Sequence, residues 1–67
     1  MANSIQNFIR IPCIVKRCTP KAVLVQRESG DMMWVPRSVA LDGADIHIND
    51  EDISIDEWWL KKAGVDY

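Results

Sequence analysis

This 67-residue chain has only one histidine and two cysteines, the imidazole and thiolate ligands that zinc prefers. That is too few ligands, too widely spaced, for a structural zinc site, so no resident metal is expected. Cys13 and Cys18 stand in a stretch that reads as one extended strand, five positions apart, and so project to opposite faces. They are expected to be reduced thiols, buried or half-buried, and not a disulfide. No apolar run approaches the ~20 residues of a membrane helix. The opening stretch MANSIQNF carries no basic region ahead of an apolar block. One domain over residues 1–67, cytoplasmic and without a membrane partner, is therefore expected. His47, Asp45 and Cys13 or Cys18 have the residue types of a base, orienter and nucleophile, but nothing in their spacing requires them to meet. No enzymatic activity and no cofactor are expected.

What is present is an ordinary globular balance, with 48% apolar and 27% charged residues. A chain of this length buries a core worth only ~3–5 kcal/mol. The pattern centres on Lys21 to Val39. Ala22-Val23-Leu24-Val25 and Met32-Met33-Trp34-Val35 flank the turn Glu28-Ser29-Gly30-Asp31, and Pro36 stops the second run. Two short apolar runs around a Ser-Gly turn predict a β-hairpin. Upstream, Ile9, Ile11, Cys13 and Val15 alternate with polar positions, the period of a half-buried strand. Pro12 inside that strand places it at a sheet edge or marks a bulge. Downstream, Asp42-Gly43 signals a turn, and Asp45 to Asn49 alternates again, predicting a strand with Ile46 and Ile48 inward.

The end of the chain reads as a helix over 55–63. Ser54 and Glu57 fit a capping box, with Ile53 and Trp58 at the spacing of a hydrophobic staple. Asp56 and Glu57 suit the positive end of the helix dipole, and Lys61 and Lys62 the negative end. Gly64 stops the helix, with Leu60 and Val65 closing over it. The fold class expected is α+β, mainly β: a small four- to five-stranded antiparallel sheet or barrel with its strands within 8–49 and one short C-terminal helix.

Two candidate surfaces follow. Adjacent helical positions point about 100° apart, so Trp58 and Trp59 cannot both be buried. By the staple, Trp58 is the core residue and Trp59 the exposed one. Charge is also divided. Up to Ala40 there are six basic residues against two acids, and from Leu41 onward eight acids against two lysines. Trp59 with Asp50, Glu51, Asp52, Asp56 and Glu57 would form an acidic, aromatic surface for a protein partner. Trp34 is read first as a core residue under the helix. Alternatively, with Arg10, Lys16, Arg17 and Arg37, it would form a stacking platform for single-stranded nucleic acid. Self-association through the strand that holds Pro12, as a homodimer, is compatible with either surface.

Lys21-Ala22-x-Leu24-Val25, then Gly30, then Trp34-Val35-Pro36-Arg37-Ser38, and finally Glu57-Trp58 ahead of Lys61-Lys62-Ala63-Gly64 resemble a group of small accessory proteins of bacteriophages and prophages. The pattern spans about two thirds of the chain, and its Trp-x-Pro-basic-Ser core is its most specific part. The resemblance implies a phage accessory protein without enzymatic activity, in the host cytoplasm. Together with the charge division and the tryptophan pair, it leads to an inhibitor-like protein that binds a host or anti-phage defence protein. Separately, Val35-Pro36-x-Ser38 and the turn after it are similar to the end of Src-homology-3-like barrels, where the corresponding proline lines a peptide groove. The acidic, tyrosine-rich first loop of those domains is absent here.

Overall fold

The alternation of Ile11, Cys13 and Val15 becomes the inner face of the longest strand, β1 (Phe8–Cys18), and all three side chains are buried. The structure, a computed structural model, describes residues 7–67. β2 (Ala22–Arg27) and β3 (Met32–Pro36) form the hairpin around Gly30, whose φ of 95° only glycine adopts without strain. The Arg27 amide closes the turn on the Asp31 carbonyl at 2.7 Å. A fourth strand, β4 (Glu51–Asp56), pairs with the other side of β1. The four antiparallel strands make one open sheet in the order β3-β2-β1-β4.

β1 is an interior strand, so Pro12 does not mark an edge. It marks a bulge, because the β1–β4 register shifts between Ile11 and Ile14. A second shift, against β2 between Val15 and Arg17, sends Lys16 and Arg17 both to solvent. That extra residue returns Cys18 to the core side. Cys13 and Cys18 therefore share a face instead of opposing each other, and both thiols are free.

After β3, a 3₁₀ turn at Arg37–Val39 and a second at Gly43–Asp45 carry the chain from the β3 edge to the β4 edge. Ala40 bridges to Ile55, and the Leu41 amide bonds to the Ser54 carbonyl at 2.9 Å. The strand expected at Asp45 to Asn49 does not form. The Asp50 carboxylate accepts from the His47 amide at 2.8 Å, and Asn49 turns at a φ of 77°. A side chain that captures a nearby amide offers the backbone an alternative to a ladder. Ile46 is still buried, but Ile48 is 55% exposed.

The sheet instead continues through β4, beyond the limit of 49 expected for the strands. Ile53 and Ile55 are two apart, so a strand buries both on one face whereas a helix would splay them about 200° apart. Both are buried against the core. Ser54 consequently faces outward opposite Arg10 and caps nothing. The N-cap is Asp56, whose Oδ1 accepts from the Trp58 amide at 2.9 Å, and α1 runs Glu57–Ala63, starting two residues later than expected. It ends at Gly64, where the Val65 amide donates to the Leu60 carbonyl. Asp56→Ala is expected to lower stability by about 1 kcal/mol, with Asp56→Asn close to the original. Urea unfolding followed by tryptophan fluorescence measures both.

The later start turns α1 so that Leu60 is fully buried and Trp59 packs against the core. Trp58 is left 64% exposed, with Lys62 Nζ 4.8 Å from its ring centroid. The expected roles of the two tryptophans are exchanged, because Ile53 lies in β4 and no staple with Trp58 exists. Residues of the sheet's inner face, α1 and the crossing segment form one core of Ile11, Val15, Val23, Val25, Val35, Ile55 and Leu60 with their neighbours.

Candidate functional site

The face of the sheet opposite the core has no covering layer among the described residues, and its rows follow directly from strand register. Arg17 pairs with Leu24 and Leu24 with Trp34. In the next row Ile14 pairs with Gln26 on one side and Glu51 on the other, and Gln26 pairs with Met32. Val23, Val25 and Val35 are fully buried on the inner face, which forces Leu24 and Trp34 outward by the two-residue period. Trp34 is 48% exposed, Met32 51% and Ile14 41%, with Leu24 half-buried among them. Trp34 is thus not the core tryptophan expected. Scattered exposed apolar residues are ordinary, but four on adjoining strands of one face make a patch. Lys16, Arg17 and Glu51 lie at its rim, all exposed.

An open groove of about 400 Å³ adjoins the patch where β1 bulges, lined in part by Pro12, Ile14, Gln26, Arg27 and Glu51. No group of three or more His, Cys, Asp or Glu capable of holding a metal occurs among the described residues. Burial pushes the Cys13 thiol above its ordinary value, so it stays protonated, and the Cys18 Sγ lies 3.8 Å from the Ile46 carbonyl. His47 is exposed on the turn at Asp50, and its side chain makes no hydrogen bond to either thiol among the described residues.

The residues expected to form the acidic surface are mostly engaged within the chain. Asp50 holds the His47 amide, Asp52 pairs with Arg10 at 2.9 Å, and Asp56 caps α1. Glu57 accepts from the Tyr67 hydroxyl at 2.8 Å, which holds that phenol above its ordinary value. Glu51 alone of the five makes no side-chain hydrogen bond or ion pair within the described residues, and it belongs to the outer face beside Ile14. Trp59 is half-buried on the core.

The basic set divides as well. Lys16 and Arg17 make no side-chain hydrogen bond or ion pair among the described residues, and Arg17 shares a row with Trp34. Arg10 is held by Asp52. Arg37 faces inward, donating to the carbonyls of Thr19 at 2.8 Å, Gly43 at 2.6 Å and Ile46 at 3.1 Å. It fastens the crossing segment and is unavailable as a phosphate ligand. Comparison with protein-family models, curated proteins and solved structures finds no match for this chain.

Proposed function

We propose that this chain is a non-catalytic accessory protein, of the phage type its sequence resembles, that acts by binding a protein partner through the outer face of its sheet. The observation that carries this reading is the uncovered patch of Ile14, Leu24, Met32 and Trp34. An exposed aromatic ring beside aliphatic side chains, with charges at the rim, is a composition enriched at protein interfaces. The partner class that fits the resemblance is a host or anti-phage defence protein. The contact centres on Trp34 and not on Trp59, because Trp59 packs against the core and its acidic neighbours already have partners inside the chain.

The test is capture from host lysate with the tagged chain and with Trp34→Ala. A specific protein retained by the first and lost by the second is expected, while Trp58→Ala, on α1, leaves capture intact. Equal retention by all three chains would remove the outer face from the reading.

One observation favours a second reading, in which the same face binds single-stranded nucleic acid. Trp34 stands exposed in one row with Arg17, and Lys16 lies beside Arg17 on the bulge. A base stacks on a flat ring while cations meet its phosphate. Titration with a mixed-sequence single-stranded oligonucleotide at low salt, followed by tryptophan fluorescence, decides it. Saturable quenching that weakens steeply with salt and is lost in Trp34→Ala supports this reading, and a flat response removes it.

A further inference from the structure

Past Gly64, at a φ of 75°, the chain reverses and runs back toward the start of α1. Val65 packs against the core, and its amide donates to the Leu60 carbonyl at 2.9 Å. The Asp66 carbonyl accepts from the guanidinium of Arg27, at the end of β2. The Tyr67 hydroxyl donates to Glu57, in the first turn of α1, at 2.8 Å. Val65 to Tyr67 therefore reach from the hairpin to the helix start and are tied to both. Register shows what lies beside them. Val23 and Val25 are buried, so Arg27, next at the two-residue period, falls on the same face. It pairs with Cys13, which shares the core face with Ile11. Arg27, Ile9 and Ile11 line an open groove of about 310 Å³ together with Tyr67. The groove at the β1 bulge shares Pro12 and Arg27 with it and reaches Cys13. Arg27 thus stands between the two grooves, beside the thiol.

We propose that Val65 to Tyr67 are a strap, latched on Arg27 and Glu57, that opens while the sheet stays folded and bares the end of the core at Ile11 and Cys13. The latches are weak by position. Both hydrogen bonds lie in solvent, where a bond within the protein replaces one to water at little net gain. Asp66 and Tyr67 are exposed, so Val65 alone anchors the strap by apolar burial. The sheet is held far more firmly, with β1 paired on both sides and Val15, Val23 and Val25 fully buried. Segments with few buried apolar contacts and exposed hydrogen bonds open at lower free energy than the core. Release of Asp66 also frees Arg27, so a single event loosens the strap and the side chain beside Cys13.

This inference stands apart from the functional reading, because the strap lies on the core face and is measured on the chain alone. The Cys13 thiol is the built-in probe. Its labelling by a small uncharged thiol reagent at fixed pH, followed by mass spectrometry, reports the fraction of molecules open at that point. Cys13 is expected to react in the folded chain, at a rate that urea well below the unfolding midpoint barely changes, since a small opening exposes little surface. Tyr67→Phe deletes only the hydroxyl that meets Glu57 and is expected to raise this rate about threefold to tenfold. Arg27→Ala is expected to raise it at least as much, although loss of the cation leaves a thiol already pushed up by burial still less acidic. Both variants are expected to keep a urea midpoint close to the original. Tyr67→Phe keeps the test open if Arg27→Ala fails to fold, and it leaves the Arg27 side chain whole, so truncation beside the thiol does not explain its effect. A Cys13 that reacts only in step with global unfolding, with the same dependence on urea, overturns the inference. So does a labelling rate unchanged by Tyr67→Phe.

Discussion

Gly43→Ala is expected to leave the chain close to unfolded at ordinary temperature. A Cβ at Gly43 would lie 2.0 Å from the Arg37 carbonyl oxygen and 2.8 Å from its carbon. The obstacle is backbone, with no flexible side-chain end that could move aside. That carbonyl also accepts from the Ala40 amide, and the Gly43 amide in turn donates to Ala40, so the two 3₁₀ turns are tied where the methyl would enter. Relief requires opening the crossing segment, at a loss of roughly 3 kcal/mol or more. A domain this small has a total stability of about that size. Urea unfolding by circular dichroism is the measurement. Gly30→Ala, where a Cβ meets nothing within 4 Å and the obstacle is a φ of 95°, provides the contrast, with an expected loss of about 1 kcal/mol. A Gly43→Ala chain within about 1 kcal/mol of the original would show that the two turns separate easily.

The hairpin and β1 were legible because each rests on a short-range rule: alternation at Ile11, Cys13 and Val15, and a glycine between two apolar runs. The end of the chain departs from the helix expected over 55–63 because two local signals compete there. Ser54 and Glu57 have the spacing of a capping box, but Ile53 and Ile55 have the spacing of a strand, and the free β4 side of β1 could bury both isoleucines. Long-range burial outweighed the cap, and a start displaced by two residues exchanged Trp58 and Trp59. The outer patch was within reach of sequence reading. Once Val23, Val25 and Val35 are assigned inward, Leu24 and Trp34 can only face outward. A core position for Trp34 under α1 conflicts with that alternation. The inward turn of Arg37 was not legible at all. Its three carbonyl partners come from Thr19, Gly43 and Ile46, which only the finished fold brings together.

Arg37→Ala is expected to cost about 2–4 kcal/mol, although the residue lies at the surface end of β3 in the sequence. Its Nε reaches the Thr19 carbonyl before β2, and its Nη1 is shared between the carbonyls of Gly43 and Ile46 beyond the second 3₁₀ turn. One planar group therefore fastens the β1–β2 connection to the segment that crosses to β4. Truncation leaves part-buried carbonyls without a donor, which is worse than never having formed the bonds. Arg37→Lys is expected to recover less than half of the loss, since one ammonium on a flexible stem cannot replace a fork that meets three acceptors in fixed directions. The loss should not add to that of Gly43→Ala, because Gly43 meets Arg37 twice, its carbonyl accepting from the guanidinium and its Cα lying against the Arg37 backbone: an alanine there opens the very turn that Arg37 holds shut. Unfolding free energies of Arg37→Ala, Gly43→Ala and the double variant, measured in a background stabilised with an osmolyte so that all three fold, give the coupling. A double variant that loses much less than the sum places Arg37 and Gly43 in one lock. A simple sum would mean that the guanidinium and the glycine support the crossing segment independently.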